Sequence, residues 1–169
     1  AWSRRGDGFA VFFGLFARIA PFARRDGVLV LRRPLDGLPG MEVLPGTVAL
    51  LCVMIGSTTF DGASEGPLWT SLAPDLQAAF ADLGLGVTAA GEAAFTVGLL
   101  AGFALAGLVL WLGVAGMRAL DSGRSAGALA RAFVHTLVPI ALAYALAHYL
   151  SLLVYQGQAV AALLSDPLG

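Results

Sequence analysis

The sequence predicts an all-α membrane fold: a polytopic helical bundle fragment with about three transmembrane helices, amphipathic surface helices and a small cytoplasmic β-hairpin. Composition is the first reason, because 58% of the 169 residues are hydrophobic and 12% are charged, against about 45–50% and about 25% in soluble domains. Three long uncharged apolar runs, over residues 43–60, 95–117 and 132–155, are the second. The third is charge placement: every basic residue is an arginine, and the arginines fall before the first run or between the second and third.

Taken in order, Phe9, Phe12, Phe13, Phe16, Ile19 and Ala20 recur at spacings of three and four, which predicts an amphipathic helix over 8–22. Arg18 interrupts an apolar stretch already too short to cross a bilayer, and Arg4, Arg5, Arg24 and Arg25 flank it, so this helix is expected to lie in the membrane interface. The Asp26-Gly27 dipeptide followed by the β-favouring run Val28 to Leu31 predicts a hairpin over 24–33. Pro34, Asp36-Gly37 and Pro39-Gly40 then break the chain.

The first span, 43–60, admits Pro45 in its first turn and reaches ~27 Å at ~1.5 Å per residue, close to the lower limit for crossing. A helical count puts Thr47, Met54, Ser57, Thr58 and Asp61 on roughly one face. Hydroxyls in such helices usually bond their own backbone or a neighbouring helix, the expectation for Ser57, Thr58 and Thr59. Trp69, Leu72, Leu76, Phe80 and Leu83 predict an outer surface helix over 68–83. The second span, 95–117, carries a ridge of small residues, Gly98, Gly102 and Ala106, suited to close helix packing. The third, 132–155, covers ~36 Å.

Arginines are retained on the cytoplasmic side of membranes. Residues before 43 and the 118–131 loop are therefore expected to be cytoplasmic, and the 61–94 connection and the C-terminal end to lie outside. The expected partners are the lipid bilayer and the remaining transmembrane helices of a longer chain, since the sequence opens at Ala1 rather than Met and stops just after an apolar helix; a signal peptide can be argued neither way. A formal net charge of -1 argues against nucleic acid.

The third span is more polar than anchoring requires. Tyr144, His148, Ser151, Tyr155 and Gln158 fall within about 80° of one another at 100° per residue, forming one stripe that must face protein or water. His135 points to the opposite side, beyond Pro139, with Tyr149 and Gln156 nearer to it. An outward-facing intramembrane site follows as an expectation: Asp61 and His148 as catalytic groups, with Tyr144, Ser151, Tyr155 and Gln158 lining a substrate site or path. The plain alternative for His148 is a neutral ring bonded to a neighbouring helix. His135, Glu65 and Asp166 are lesser candidates, each with a solvated or locally bonded alternative. Cys52, alone in an apolar run, reads as a small buried hydrophobe. Two histidines and one cysteine leave the cofactor unknown: a divalent metal is compatible with the residues but not demanded by them. Neither a phosphate loop nor a nucleophile elbow is present.

The strings GDGFAVFFGLFARIAPF, RRDGVLVLRRPLDGL, GSTTFDG, LVPIALAYALAHYLSLLVYQGQ and LLSDPLG, spread over nearly the whole chain, resemble a bacterial, actinobacterial-type family of multi-pass membrane proteins known as fenitrothion hydrolases. The resemblance implies a C-terminal-half fragment of an inner-membrane protein and the hydrolysis of organophosphate triesters. It supplies no catalytic residue set. Such chemistry ordinarily needs a metal-bound or base-activated water, of which these residues hold at most a part. The competing reading is a transporter or membrane-complex subunit whose polar stripe lines a path or a helix interface.

Overall fold

The computed structural model describes residues 6–120 and 123–165. Asp166, Arg4 and Arg5 therefore lie outside the described residues. The elements are α1 (Gly8–Ala17), β1 (Phe22–Arg25), β2 (Val28–Leu31), α2 (Thr47–Ser64), α3 (Pro67–Asp82), α4 (Val87–Leu120), α5 (Ala126–Phe133), a 3₁₀ turn (Val134–Thr136) and α6 (Leu137–Ser165). Three helical stretches are long and apolar enough to cross a membrane: Thr47–Ser64, Val87–Leu120 and Ala126–Ser165. The chain divides into two compact units, one of Ala1–Leu51 with Leu108–Leu142 and the other of Cys52–Gly107 with Ala143–Gly169.

In the first unit the Asp7 carboxylate accepts from the Ala10 N–H at 3.1 Å and starts α1. The helix ends at Ala17 rather than continuing to 22, because Pro21 disfavours helix at the residue before it and lacks an N–H of its own. Phe22 then joins a strand, so the hairpin occupies 22–31 instead of 24–33, with Phe22 opposite Leu31 and Arg25 opposite Val28. Both turn residues have positive φ, 51° at Asp26 and 84° at Gly27, the geometry that a tight two-residue hairpin demands.

Arg32 ties these pieces together. Its Nε donates to the Ala20 carbonyl at 2.9 Å, and one terminal nitrogen donates to the carbonyls of Ala17 and Arg18, both at 3.0 Å. The guanidinium thus takes up main-chain acceptors left open where α1 ends, with its charge at the negative end of the helix dipole. Gly37 lies directly against this group: a Cβ there would sit 2.5 Å from the Arg18 carbonyl oxygen and from Arg32. Leu15, Leu38, Leu51, Val134 and Val138 are among the buried apolar residues of the unit. Phe9 and Phe13 of α1, and Phe22, Leu29 and Leu31 of the hairpin, stay exposed. The side of α1 that meets the core is thus the Leu15 side.

All three long helices end further on than their apolar runs suggest. α2 starts at Thr47 rather than at 43, since Gly46 takes a φ of 92° that cannot continue into a helix; Pro45 accordingly precedes the helix instead of entering its first turn. At its other end the helix runs to Ser64, so Asp61 and Gly62 are helical. α4 extends over 34 residues, Val87 to Leu120, instead of 95–117. The third span, expected as one helix over 132–155, is divided: α5 is capped by Ser125, whose hydroxyl accepts from the Ala128 N–H at 3.2 Å, and a 3₁₀ turn precedes α6, which reaches Ser165. Pro139 explains the change of helix type, because it removes a donor and crowds the carbonyl four residues earlier.

The second unit is held by small residues and aromatic rings. A Cβ added to Gly56 would lie 2.7 Å from the Gly102 carbonyl oxygen, and one added to Gly102 would lie 2.7 Å from that of Gly56. α2 and α4 therefore meet backbone to backbone, as the small ridge on α4 leads one to expect. Gly98 makes room for the rings of Phe60 and Trp69, which meet edge to face at 4.8 Å; Phe95 completes the cluster at 5.3 Å from Trp69. The surface helix α3, Pro67 to Asp82 against an expected 68–83, buries Trp69 and Ala73 while Leu72 and Leu83 remain exposed. Its inner face keeps Trp69 of the large apolar row and adds Ala73, with Leu76 and Phe80 half-buried.

Candidate functional site

Because α2 continues through its last turn, Asp61 projects from a rigid helix and not from a loop. Its Oδ2 lies 2.7 Å from Nε2 of His148 on α6. The structure thus brings together the two ionisable residues expected to form a site. In this pair the carboxylate accepts and the imidazole donates, and a neutral ring held through Nε2–H keeps its lone pair on Nδ1. The His148 side chain is 29% exposed and that of Asp61 61%; ion pairs this open to solvent contribute about 0.2–1 kcal/mol, too little to make the pair a stabilising device. Tyr149 packs its ring edge to face on His148 at 5.2 Å.

A cavity opens on each side of the pair. The one on the Asp61 side, about 420 Å³, is lined by Ser57, Thr58, Phe60, Asp61, Phe95, Thr96, Leu99 and Tyr149. The one on the His148 side, about 520 Å³, is lined by Thr58, Thr59, Gly62, Ala143, Tyr144, Ala147 and His148, and is almost wholly apolar.

Hydroxyl groups around the pair are satisfied locally, as expected. Ser57 and Thr58 both donate to the Met54 carbonyl at 3.1 Å, and Thr59 donates to Ile55 at 2.7 Å. Thr96 of α4 donates to Glu92 at 2.7 Å. Ser151 likewise donates to its own helix, at Ala147, 2.9 Å away. Of the stripe on α6, Tyr144 and His148 therefore border a cavity, while Tyr155 and Gln158 are exposed. Tyr155 stands ~10 Å further along the axis than His148, seven residues on, so neither it nor Gln158 joins the pair. His135 bonds through Nδ1 to the Ala132 carbonyl of its own turn at 2.9 Å. Glu65 follows α2 and is exposed, and Thr47 is buried in the first unit.

Sequence reasoning missed Tyr149, Thr96, Phe60 and Phe95. Tyr149 stands a step of about 100° from its neighbour His148 and so off the stripe, yet its ring packs on that imidazole and lines the cavity on the Asp61 side. Phe60 directly precedes Asp61 on α2, whereas Thr96 and Phe95 of α4 are brought to it through the Gly56 and Gly102 contact, for which half of the signal, the small ridge, was visible. Among the described residues no three His, Cys, Asp or Glu side chains gather where they could share a metal ion; Asp61 and His148 would supply two ligands to such an ion. Models of protein families, curated proteins and solved structures yield no match to this chain.

Proposed function

We propose that this chain is the membrane-embedded part of a hydrolase in which His148, oriented by Asp61, acts as a general base on water. The observation that carries the reading is the 2.7 Å contact between Nε2 and Oδ2, with an apolar cavity of about 520 Å³ beside the imidazole. Asp61 fixes the tautomer, so Nδ1 takes a proton from water as its oxygen bonds to phosphorus. The phosphorus–oxygen bond to the leaving group breaks, and the imidazolium returns the proton. An apolar cavity suits a lipophilic organophosphate triester, the substrate class implied by the resemblance to the fenitrothion hydrolase family. Any divalent metal would need ligands beyond Asp61 and His148, and no step is assigned to one.

The same reading places the three long helices across a bacterial inner membrane, with the arginine-bearing segments cytoplasmic and the pair toward the outside. Support comes from helix length and apolarity, from the distribution of arginines, and from the exposed rings of Phe9 and Phe13 on α1, which suit an interfacial helix. The test is triester hydrolysis by the protein in detergent or nanodiscs, with metal content measured. His148→Gln is expected to lower the rate by about 10²–10⁴-fold, the usual worth of a general base. Unchanged hydrolysis by His148→Gln sinks the reading.

A second reading is a transporter, favoured by cavities on both sides of one titratable pair. Flux into proteoliposomes that is lost in Asp61→Asn, without any hydrolysis, would select it.

A further inference from the structure

We infer that the cavity on the Asp61 side is a binding site for a small organic cation of the alkylammonium class. This goes beyond the hydrolase reading, which places its substrate against the other face of the pair.

The first ground is the sign of the polar groups. Ser57, Thr58 and Thr96 line the cavity, and each gives its hydroxyl proton to a main-chain carbonyl of its own helix, at 3.1, 3.1 and 2.7 Å. A ligand therefore finds lone pairs on them, not protons. Asp61, when ionised, is an acceptor only. Its Oδ2 is engaged by His148, which leaves the lone pairs of Oδ1 for a ligand. The lining helices spend their main-chain N–H groups internally, so the Tyr149 phenol is the side-chain donor that remains. Such a wall selects a donor or a positive charge and disfavours a phosphoryl oxygen.

The second ground is the surface between those acceptors. Phe60, Phe95 and Tyr149 line the same cavity. Aromatic rings attract cations electrostatically, and cages of such rings are the usual receptors for alkylated ammonium groups. Volume separates this class from metal ions. At about 420 Å³ the cavity falls within the range of small-molecule sites and far exceeds a bare sodium ion. The surrounding charge agrees: the unit contains no arginine or lysine, while Asp61, Glu65, Asp75, Asp82 and Glu92 all belong to it. No arginine or lysine of the unit competes with the ligand, and the field of its carboxylates draws positive charge.

The test is calorimetric titration of tetramethylammonium chloride into the protein in dodecyl maltoside micelles, whose sugar headgroups carry neither a charge nor an ammonium group to compete with the probe. One saturable site is expected. Asp61→Asn should weaken it at least tenfold and Tyr149→Leu severalfold, both with helicity unchanged by circular dichroism. Thr96→Arg, which puts a cation into the cavity while leaving Asp61 intact, should abolish it. The inference is overturned if tert-butanol, of similar shape but neutral, binds as tightly as tetramethylammonium, or if Asp61→Asn or Thr96→Arg binds like the wild type. Displacement of the probe by an equal concentration of sodium chloride would also overturn it, by assigning the site to an inorganic cation. Binding is read without turnover, so the result stands apart from whether the protein hydrolyses triesters.

Discussion

The two units use charged side chains in opposite ways. All ten arginines of the sequence belong to the first unit and none to the second, whose charged residues are carboxylates. In the first unit Arg32 spends its donors on three main-chain carbonyls at the end of α1. In the second, the hydroxyls of Ser57, Thr58 and Thr96 satisfy their own helices, and the Asp61–His148 pair stays partly open beside two cavities. The hydroxyls of the second unit close the backbone as Arg32 does in the first; what differs is the carboxylate–imidazole pair, which stays partly open. A residue's charge alone would not tell these uses apart, whereas its partner does.

Substitutions can break this contrast at graded strengths. Gly102→Leu should have the largest effect, because its Cβ would fall 2.7 Å from the Gly56 carbonyl; a loss of about 3 kcal/mol, the upper end of overpacking, is expected in thermal unfolding. Gly107→Leu, with nothing within 4 Å of its Cβ, should be close to neutral in the same measurement. In the first unit, Arg32→Ala removes charged hydrogen bonds to three carbonyls and should cost about 2–3 kcal/mol in denaturant titration. Arg32→Lys should recover only part of that, since an ammonium lacks the planar fork.

Gly27→Ala comes next, at about 1–2 kcal/mol, because a φ of 84° brings a Cβ toward the following carbonyl; loss of amide protection across the β1–β2 ladder would report it. Small too is the effect of Asp61→Asn, which should change stability by less than about 1 kcal/mol, while the triester hydrolysis we propose should fall at least about a hundredfold. If Asp61→Asn instead unfolds the protein, the pair is a structural tie and the contrast between the units fails.

Much of this architecture was legible in the chain. Three apolar runs gave three long helices, Asp26-Gly27 gave a two-residue turn, and Gly98 and Gly102 gave a close helix contact. Helix ends were less readable, since they depend on single backbone angles: the positive φ of Gly46 moved the start of α2, and Pro21 handed Phe22 to a strand. Of the site, Asp61 and His148 could be nominated because carboxylate and imidazole are conspicuous in apolar surroundings. Their pairing could not, because it depends on α2 continuing past Phe60 and on how α2 and α6 are rotated. Thr96 and Phe95 carried no signal of their own, being ordinary residues made relevant by a glycine contact two turns away.

That glycine contact has a geometrical corollary. Gly56 fixes the rotation of α2 against α4, and Asp61, five residues later on the same helix, then points about 140° round the axis from it. The carboxylate's aim is therefore a phase angle, set by residue count and not by any bond that Asp61 makes. Inserting one alanine between Gly56 and Asp61 would leave the composition of the site unchanged and the glycines in place, yet swing the carboxylate by about 100°. Removing it again would restore the original aim, whereas four inserted residues in all would bring the carboxylate to within about 40° of it, about one turn further along the axis.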